Sequence, residues 1–222
     1  MKSEIRYKPA FATLFITLKP GEKIVAEAGA MASMAGQLSM KTEFFGGLLP
    51  GLMKSFFGGE SLFVNVFSNP SQQPQELVLT QSSIGDIIRI ELNGSNEICF
   101  QPGAYIAHTP GVNVELQWAG FASWFAGEGL FKLKMGGKGI VFCGAYGGLS
   151  EVRVQDELIV DNGHLVAYDP NITMSIKLSG GLFGSVTSGE GFVNRLSGRG
   201  KIYLQSRSVD GLVRFLRPKL RG

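Results

Sequence analysis

Gly59-Glu60-Ser61-Leu62-Phe63-Val64-Asn65-Val66-Phe67-Ser68-Asn69 returns later in the chain as Gly189-Glu190-Gly191-Phe192-Val193-Asn194-Arg195-Leu196-Ser197-Gly198. With one residue of slip the two share Gly-Glu, Phe-Val-Asn, an apolar position and Ser. A third, shorter copy lies between them, Gly127-Glu128-Gly129-Leu130-Phe131. Repetition of this kind points to tandem units, each of which must bury its apolar face against a neighbour. Before each copy an apolar run ends in a turn: Ile24-Val25-Ala26-Glu27-Ala28-Gly29, Ile98-Cys99-Phe100-Gln101-Pro102-Gly103, and Leu165-Val166-Ala167-Tyr168-Asp169-Pro170. Gly reaches positive φ freely and Pro presets φ, so these endings read as turns.

Between the turns the residues alternate. Ile88, Ile90 and Leu92 share one face of 86–92. Phe131-Lys132-Leu133-Lys134-Met135 places both lysines toward water, and 172–178 alternates throughout. Period two with one apolar face means half-buried antiparallel strands, packed as a sandwich or barrel. Glycine, 31 of 222 residues, is roughly twice its ~7% norm, which suits a protein of many turns and bulges. Val209, Leu212, Val213 and Leu216 instead follow i, i+3, i+4, i+7, with Ser208 as N-cap and Pro218 as stop. A short helix over 208–217 is predicted, its apolar stripe on the β body and its arginines outward. The expected architecture is one all-β domain over 1–222, built of three tandem β repeats (about 10–92, 93–160 and 161–208) plus that helix.

Charge is uneven. The net +3 belongs to the end of the chain, where Arg195, Arg199, Lys201, Arg207, Arg214, Arg217, Lys219 and Arg221 face one acid, Asp210. Such an end either meets an anionic partner or is a solvated tail. The N-terminus, Met1-Lys2-Ser3-Glu4-Ile5-Arg6-Tyr7-Lys8, has no apolar signal core, and no stretch approaches the ~20 apolar residues of a spanning helix. The expectation is a cytoplasmic protein, with peripheral membrane contact left open.

Few residues suggest chemistry. Cys99 and Cys143 sit in apolar runs and read as buried thiols. His108 and His164 lie in separate turns, without a second His or Cys at metal-ligand spacing. There is no Gly-x-Ser-x-Gly elbow. Gly136-Gly137-Lys138-Gly139 and Ser197-Gly198-Arg199-Gly200 lack the strand-to-helix setting and Lys-Ser/Thr ending of a phosphate loop, and read as bulges or hairpin turns. No catalytic, cofactor-binding or metal residue is named, and no small-molecule substrate. The recurring Glu60, Glu128 and Glu190 have two readings: carboxylates accepting backbone N–H bonds in their own Gly turns, or three acids converging on a cation. The structural reading is preferred.

The segments leading into those acids are more distinctive. Between Glu43 and Glu60 the only charge is Lys54; between Glu115 and Glu128, and between Lys177 and Glu190, there is none. They carry Phe44, Phe45, Leu48, Leu49, Leu52, Met53, Phe56 and Phe57, then Trp118, Phe121, Trp124 and Phe125, then Leu182 and Phe183. Segments this apolar are costly in water, so they belong in the fold, in a subunit interface or in a membrane surface.

Leu18-Lys19-Pro20-Gly21-Glu22-Lys23-Ile24-Val25-Ala26-Glu27-Ala28-Gly29-Ala30-Met31, Gly58-Gly59-Glu60-Ser61-Leu62-Phe63 and Leu196-Ser197-Gly198-Arg199-Gly200-Lys201-Ile202-Tyr203-Leu204-Gln205 together resemble the family of the altered inheritance of mitochondria protein 24. The resemblance covers almost the whole chain. It implies a triplicated, shortened double-stranded β-helix similar to the tryptophan RNA-binding attenuator protein, and symmetric oligomers. Eukaryotic members act in mitochondrial inner-membrane organisation. Without an Arg-rich transit segment, this chain looks like a prokaryotic member. The resemblance supplies no catalytic residues and no cofactor. The expected function is a non-catalytic, homo-oligomeric binding or scaffold protein, with a membrane surface or a protein as further partner. Nucleic-acid binding is the alternative; the net-acidic body and the lack of aromatics among the basic residues argue against it, and a metal-dependent enzyme ranks lower still.

Overall fold

Alternation decides which face of each strand is buried. In β2 (Thr13–Leu18), Leu14, Ile16 and Leu18 are wholly buried while the residues between them are half-buried. The computed structural model describes residues 1–44, 63–101, 103–118, 131–178 and 192–220. Among these the regular elements are eighteen strands, a short 3-10 turn (Asn162–His164) and one helix, α1 (Val209–Leu220). The chain is all-β with a short C-terminal helix.

One pairing scheme occurs three times along it. In the first unit β2 and β4 (Met31–Met34) flank β7 (Gln75–Leu79), while β3 (Lys23–Glu27) and β5 (Ser39–Phe44) flank β6 (Phe63–Ser68). In the second, β8 (Ile87–Asn93) and β10 (Tyr105–His108) flank the C-terminal half of β12 (Phe131–Gly144). Its N-terminal half lies between β9 (Ile98–Phe100) and β11 (Val112–Trp118). In the third, β13 (Leu149–Val154) and β15 (Leu165–Tyr168) flank β18 (Gly200–Gln205), and β14 (Glu157–Asp161) and β16 (Thr173–Leu178) flank β17 (Phe192–Ser197). The extra strand β1 (Lys2–Arg6) pairs with the outer side of β2.

Two seams join the units, β10 with β3 and β15 with β9. With β12 shared, they make an eleven-stranded sheet; β1-β2-β7-β4 and β14-β17-β16 stand as separate four- and three-stranded sheets. The strand β12 changes partners at Gly137, whose φ of +86° is open to glycine and where a Cβ would lie 2.4 Å from the Gly111 carbonyl oxygen. The Gly136–Gly139 run is therefore a corner that lets one strand serve two pairings.

Three apolar cores follow one another. The first centres on Leu14, Ile16, Ile24, Phe67 and Leu77 and takes in Ile106 and Phe142 from the second unit. The second holds Phe100, Tyr105, Met135 and Val141 and takes in Val166 and Ala167 from the third. The last gathers Tyr168, Leu196 and Ile202 with Cys99. Each such fully buried Leu, Ile or Phe contributes about 1.5–3 kcal/mol, so the residues shared across each boundary tie neighbouring units together. Both cysteines are free, and Cys99 and Cys143 are 2% and 0% exposed. Burial pushes both thiols above their usual range. The native protein is expected to leave Ellman's reagent unreacted until denaturant is added, when both thiols titrate; prompt labelling of the folded protein would contradict this placement.

Two expectations need correction. Lys134, expected in water, has a side chain only 21% exposed because it pairs with Glu97 at 2.9 Å, and the Lys132 ammonium lies 5.4 Å from the centre of the Tyr168 ring. The helix forms with Ser208 as its cap, Gly211 N–H donating to Ser208 Oγ at 3.1 Å, but it runs through Pro218 to Leu220 and does not pack on the β body. None of its residues is buried.

Candidate functional site

Three hairpins carry the uncharged segments. β5–β6 closes at Phe44 opposite Phe63, β11–β12 at Trp118 opposite Phe131, and β16–β17 at Leu178 opposite Phe192. Each segment thus leaves from the same place in the pairing scheme. Phe45, Leu48, Leu49, Leu52, Met53, Phe56, Phe57, Phe121, Trp124, Phe125, Leu182 and Phe183 lie outside the described residues, as do Glu60, Glu128 and Glu190. Phe44 and Trp118 are strand-end residues placed by their backbone.

Where the second unit meets the third, the strands leave a cleft of about 570 Å³, within the ~300–1,000 Å³ range of ligand pockets. Its floor is apolar, from Ile88, Ile90, Leu92, Ile98 and Leu149, and its rim is charged. There Glu151 accepts from Lys201 Nζ at 2.9 Å and from the Tyr203 hydroxyl at 3.1 Å. Asp169 accepts the Lys201 backbone N–H at 2.7 Å. The Lys201 ammonium, and then the Tyr203 hydroxyl, hold the Glu151 carboxyl below its usual range. Burial first, and Glu151 second, push the Tyr203 hydroxyl well above its own.

These charges are paired with one another, which makes the rim a shaped polar edge. Exposed pairs of this type contribute about 0–1 kcal/mol each. Sequence reasoning missed the cleft because its rim comes from strands distant in the chain. Glu151 and Arg153 share one face of β13 and Lys201 and Tyr203 one face of β18, but nothing local in either strand encodes the register that sets Glu151 opposite Tyr203. Among the described residues no three His, Cys, Asp or Glu side chains gather as a metal would require. His164 Nδ1 meets the Gln205 carbonyl at 2.7 Å. His108, expected in a turn, ends β10 and is buried, its Nδ1 2.7 Å from the Tyr105 hydroxyl.

The helix α1 is the other candidate. Val209, Leu212, Val213, Leu216 and Leu220 fall on one face at helical spacing and are 37–77% exposed. Arg217 and Lys219 flank that face, with Arg214 further round; the Lys219 ammonium sits 4.2 Å from the centre of the Phe215 ring. Among the described residues no helix is long and apolar enough to cross a membrane. An amphipathic basic helix with its apolar face exposed has the composition of one that lies in an interface.

The fold has a solved counterpart. A crystal structure of a protein from Streptococcus pyogenes superposes with a TM-score of 0.80 at 25% identity, over 99% of both chains. An uncharacterized protein of Streptococcus pyogenes serotype M6 is 26% identical over 219 residues, 95% of this chain and 87% of that relative. A family model described as mitochondrial biogenesis AIM24 matches residues 3–207, the strands without α1. On that match, the chain belongs to the AIM24 family.

Proposed function

We propose that this protein is a non-catalytic scaffold that assembles with copies of itself and rests on an anionic membrane surface through α1. The reading takes the chain as one β domain of three repeats whose limits follow the pairing, about 13–79, 87–144 and 149–205. The observation that carries it is the exposed apolar face of α1, flanked by Arg217 and Lys219, with Asp210 as the helix's one acid. A single short helix of this kind binds weakly, through its apolar area and its attraction to anionic lipid. Several copies on one assembly would add by avidity.

Sedimentation with vesicles tests it. The full chain is expected to pellet with phosphatidylserine vesicles, less in high salt, and hardly at all with pure phosphatidylcholine. Leu212→Gln with Leu216→Gln keeps good helix formers and removes apolar area, and should weaken binding at least about tenfold. No pelleting of the full chain would remove the membrane part of the proposal. Undiminished binding by the double variant, with a blue shift of Trp118 and Trp124 emission, would move the contact to the uncharged segments.

A further inference from the structure

Strands β4 and β14 each lack the neighbour that their counterparts have. The counterparts of β4 are β10 and β15, which pair with β3 and β9 of the preceding unit. The counterparts of β14 are β3 and β9. Among the described residues no strand pairs with the outer side of either, so β4 and β14 end their sheets.

The correspondence holds residue by residue. β4 sets Met31, Ser33 and Met34 opposite Leu79, Val78 and Leu77, with a register shift between the first two. β10 does the same with Tyr105, Ala107 and His108, and β15 with Leu165, Ala167 and Tyr168, each with the shift at the same place. On the other side Ile159 faces Arg195 as Val25 faces Val66 and Cys99 faces Lys134. Both internal seams use one register, His108 opposite Val25 and Tyr168 opposite Cys99. Met34 and Ile159 are the residues left over.

Exposure tells the same story. Met31 is 39% exposed, whereas Tyr105 and Leu165 at its place are 3% and 4%. Ser33 is exposed where Ala107 and Ala167 are at 0%. Ile159 is 58% exposed where Cys99 is at 2%. Met31 and Ile159 are bare because the strand that covers their counterparts is missing. Within one chain the two edges belong to different sheets, and the first and third cores have no residue in common.

We infer that β14 of one copy pairs antiparallel with β4 of a second copy, Met34 opposite Ile159 and Ser33 opposite Val160, in the register of the two internal seams. The four-stranded and three-stranded sheets then complete each other, and two open edges are closed. Because each copy offers one β4 and one β14, the contact is head-to-tail and propagates into a ring or a filament. This inference rests on the homo-oligomeric reading above and names its interface.

Directly opposite residues in antiparallel strands stand within disulfide reach, and the native thiols are buried. Met34→Cys and Ile159→Cys proteins, mixed and oxidised, are expected to give a two-chain product on a non-reducing gel that neither variant gives alone. By light scattering the natural chain should exceed its 23.9 kDa. Met31→Lys with Ile159→Lys should reduce it to that mass without loss of β circular dichroism, since both side chains face solvent in the single chain. Assembly that persists in the lysine variant, with no cross-link in the mixture, would overturn the interface and leave the oligomer standing. A natural chain of single-chain mass at all concentrations would overturn both.

Discussion

Gly85→Ala is expected to be among the most damaging single methyl groups that can be added to this protein. Gly85 lies in the connector between the first and second units and bridges Gly147, in the connector between the second and third, in parallel fashion. Asp86 N–H donates to the Gly147 carbonyl and Gly147 N–H to the Ile84 carbonyl, both at 2.9 Å, while Ala12 N–H donates to Gly85 itself at 2.9 Å. The two connectors and the link from β1 to β2 thus meet backbone to backbone. A Cβ on Gly85 would fall 1.9 Å from the Ala145 carbonyl oxygen and 2.6 Å from the Gly147 nitrogen. Neither neighbour is a side chain that could turn away. Relief requires the connectors to separate and these hydrogen bonds to lengthen. Overpacking and weakened bonds together should cost about 3 kcal/mol or more. For a chain of this size that lowers the thermal midpoint by roughly 6–12 °C. Gly36→Ala is the matched control: nothing lies within 4 Å of its Cβ position and its φ is not in the left-handed region. It should leave stability unchanged or raise it by about 0.5 kcal/mol. Chemical denaturation of the two variants at one protein concentration decides the matter, and equal midpoints would contradict the connector packing.

That contact shows where sequence reading stops. Strands are local objects, so the alternation of Ile88, Ile90 and Leu92 announces β8, and the spacing of Val209, Leu212, Val213 and Leu216 announces α1. Partners are not local. The Tyr105 hydroxyl donates to the Val25 carbonyl across 80 residues of chain, and β10, which carries it, pairs with β12 through a register shift between Tyr105 and Ala107. No residue type encodes that shift: the same place holds Met31 and Ser33 in the first unit and Leu165 and Ala167 in the third. An amphipathic stripe likewise says that one helix face prefers cover without saying what covers it. The stripe of α1 was read correctly as a stripe and wrongly as packed. The rim of the cleft failed for a third reason. Glu151, Lys201 and Tyr203 look like ordinary solvent-facing positions of two strands until pairing brings them together. The acids of the Gly-Glu phrase and most of the apolar residues before them lie outside the described residues.

Lowering the pH should weaken the seam between the first and second units through His108. This residue ends β10 opposite Val25 of β3, is 7% exposed, and has its pKa lowered from 6.5 to about 4 by burial. The Tyr105 hydroxyl gives its hydrogen to the Val25 carbonyl at 3.1 Å, so the tautomer with hydrogen on His108 Nδ1 satisfies the 2.7 Å contact with the hydroxyl oxygen. That network suits a neutral imidazole. Above pH 6.5 neither the folded nor the unfolded state protonates His108, and its full contribution is present. Between 6.5 and about 4 the unfolded chain takes up a proton that the folded one refuses, so stability rises with pH across this window and is lost as pH falls through it. The whole loss amounts to about 3 kcal/mol, at 1.36 kcal/mol for each pKa unit. Glu151, with its carboxyl held low by Lys201, loses its share only at still lower pH, and it does so equally in a His108 variant. His108→Gln keeps a polar group beside Tyr105 but cannot titrate in this range. It should be less stable than the natural protein at pH 7.5 by about 1–2 kcal/mol, and should lose much less than the natural protein between pH 7.5 and 4.5. The gap between the two proteins is therefore expected to narrow or reverse on acidification. Unfolding curves at the two pH values measure it directly, and a gap that stays constant would mean that His108 accepts a proton without opening the seam.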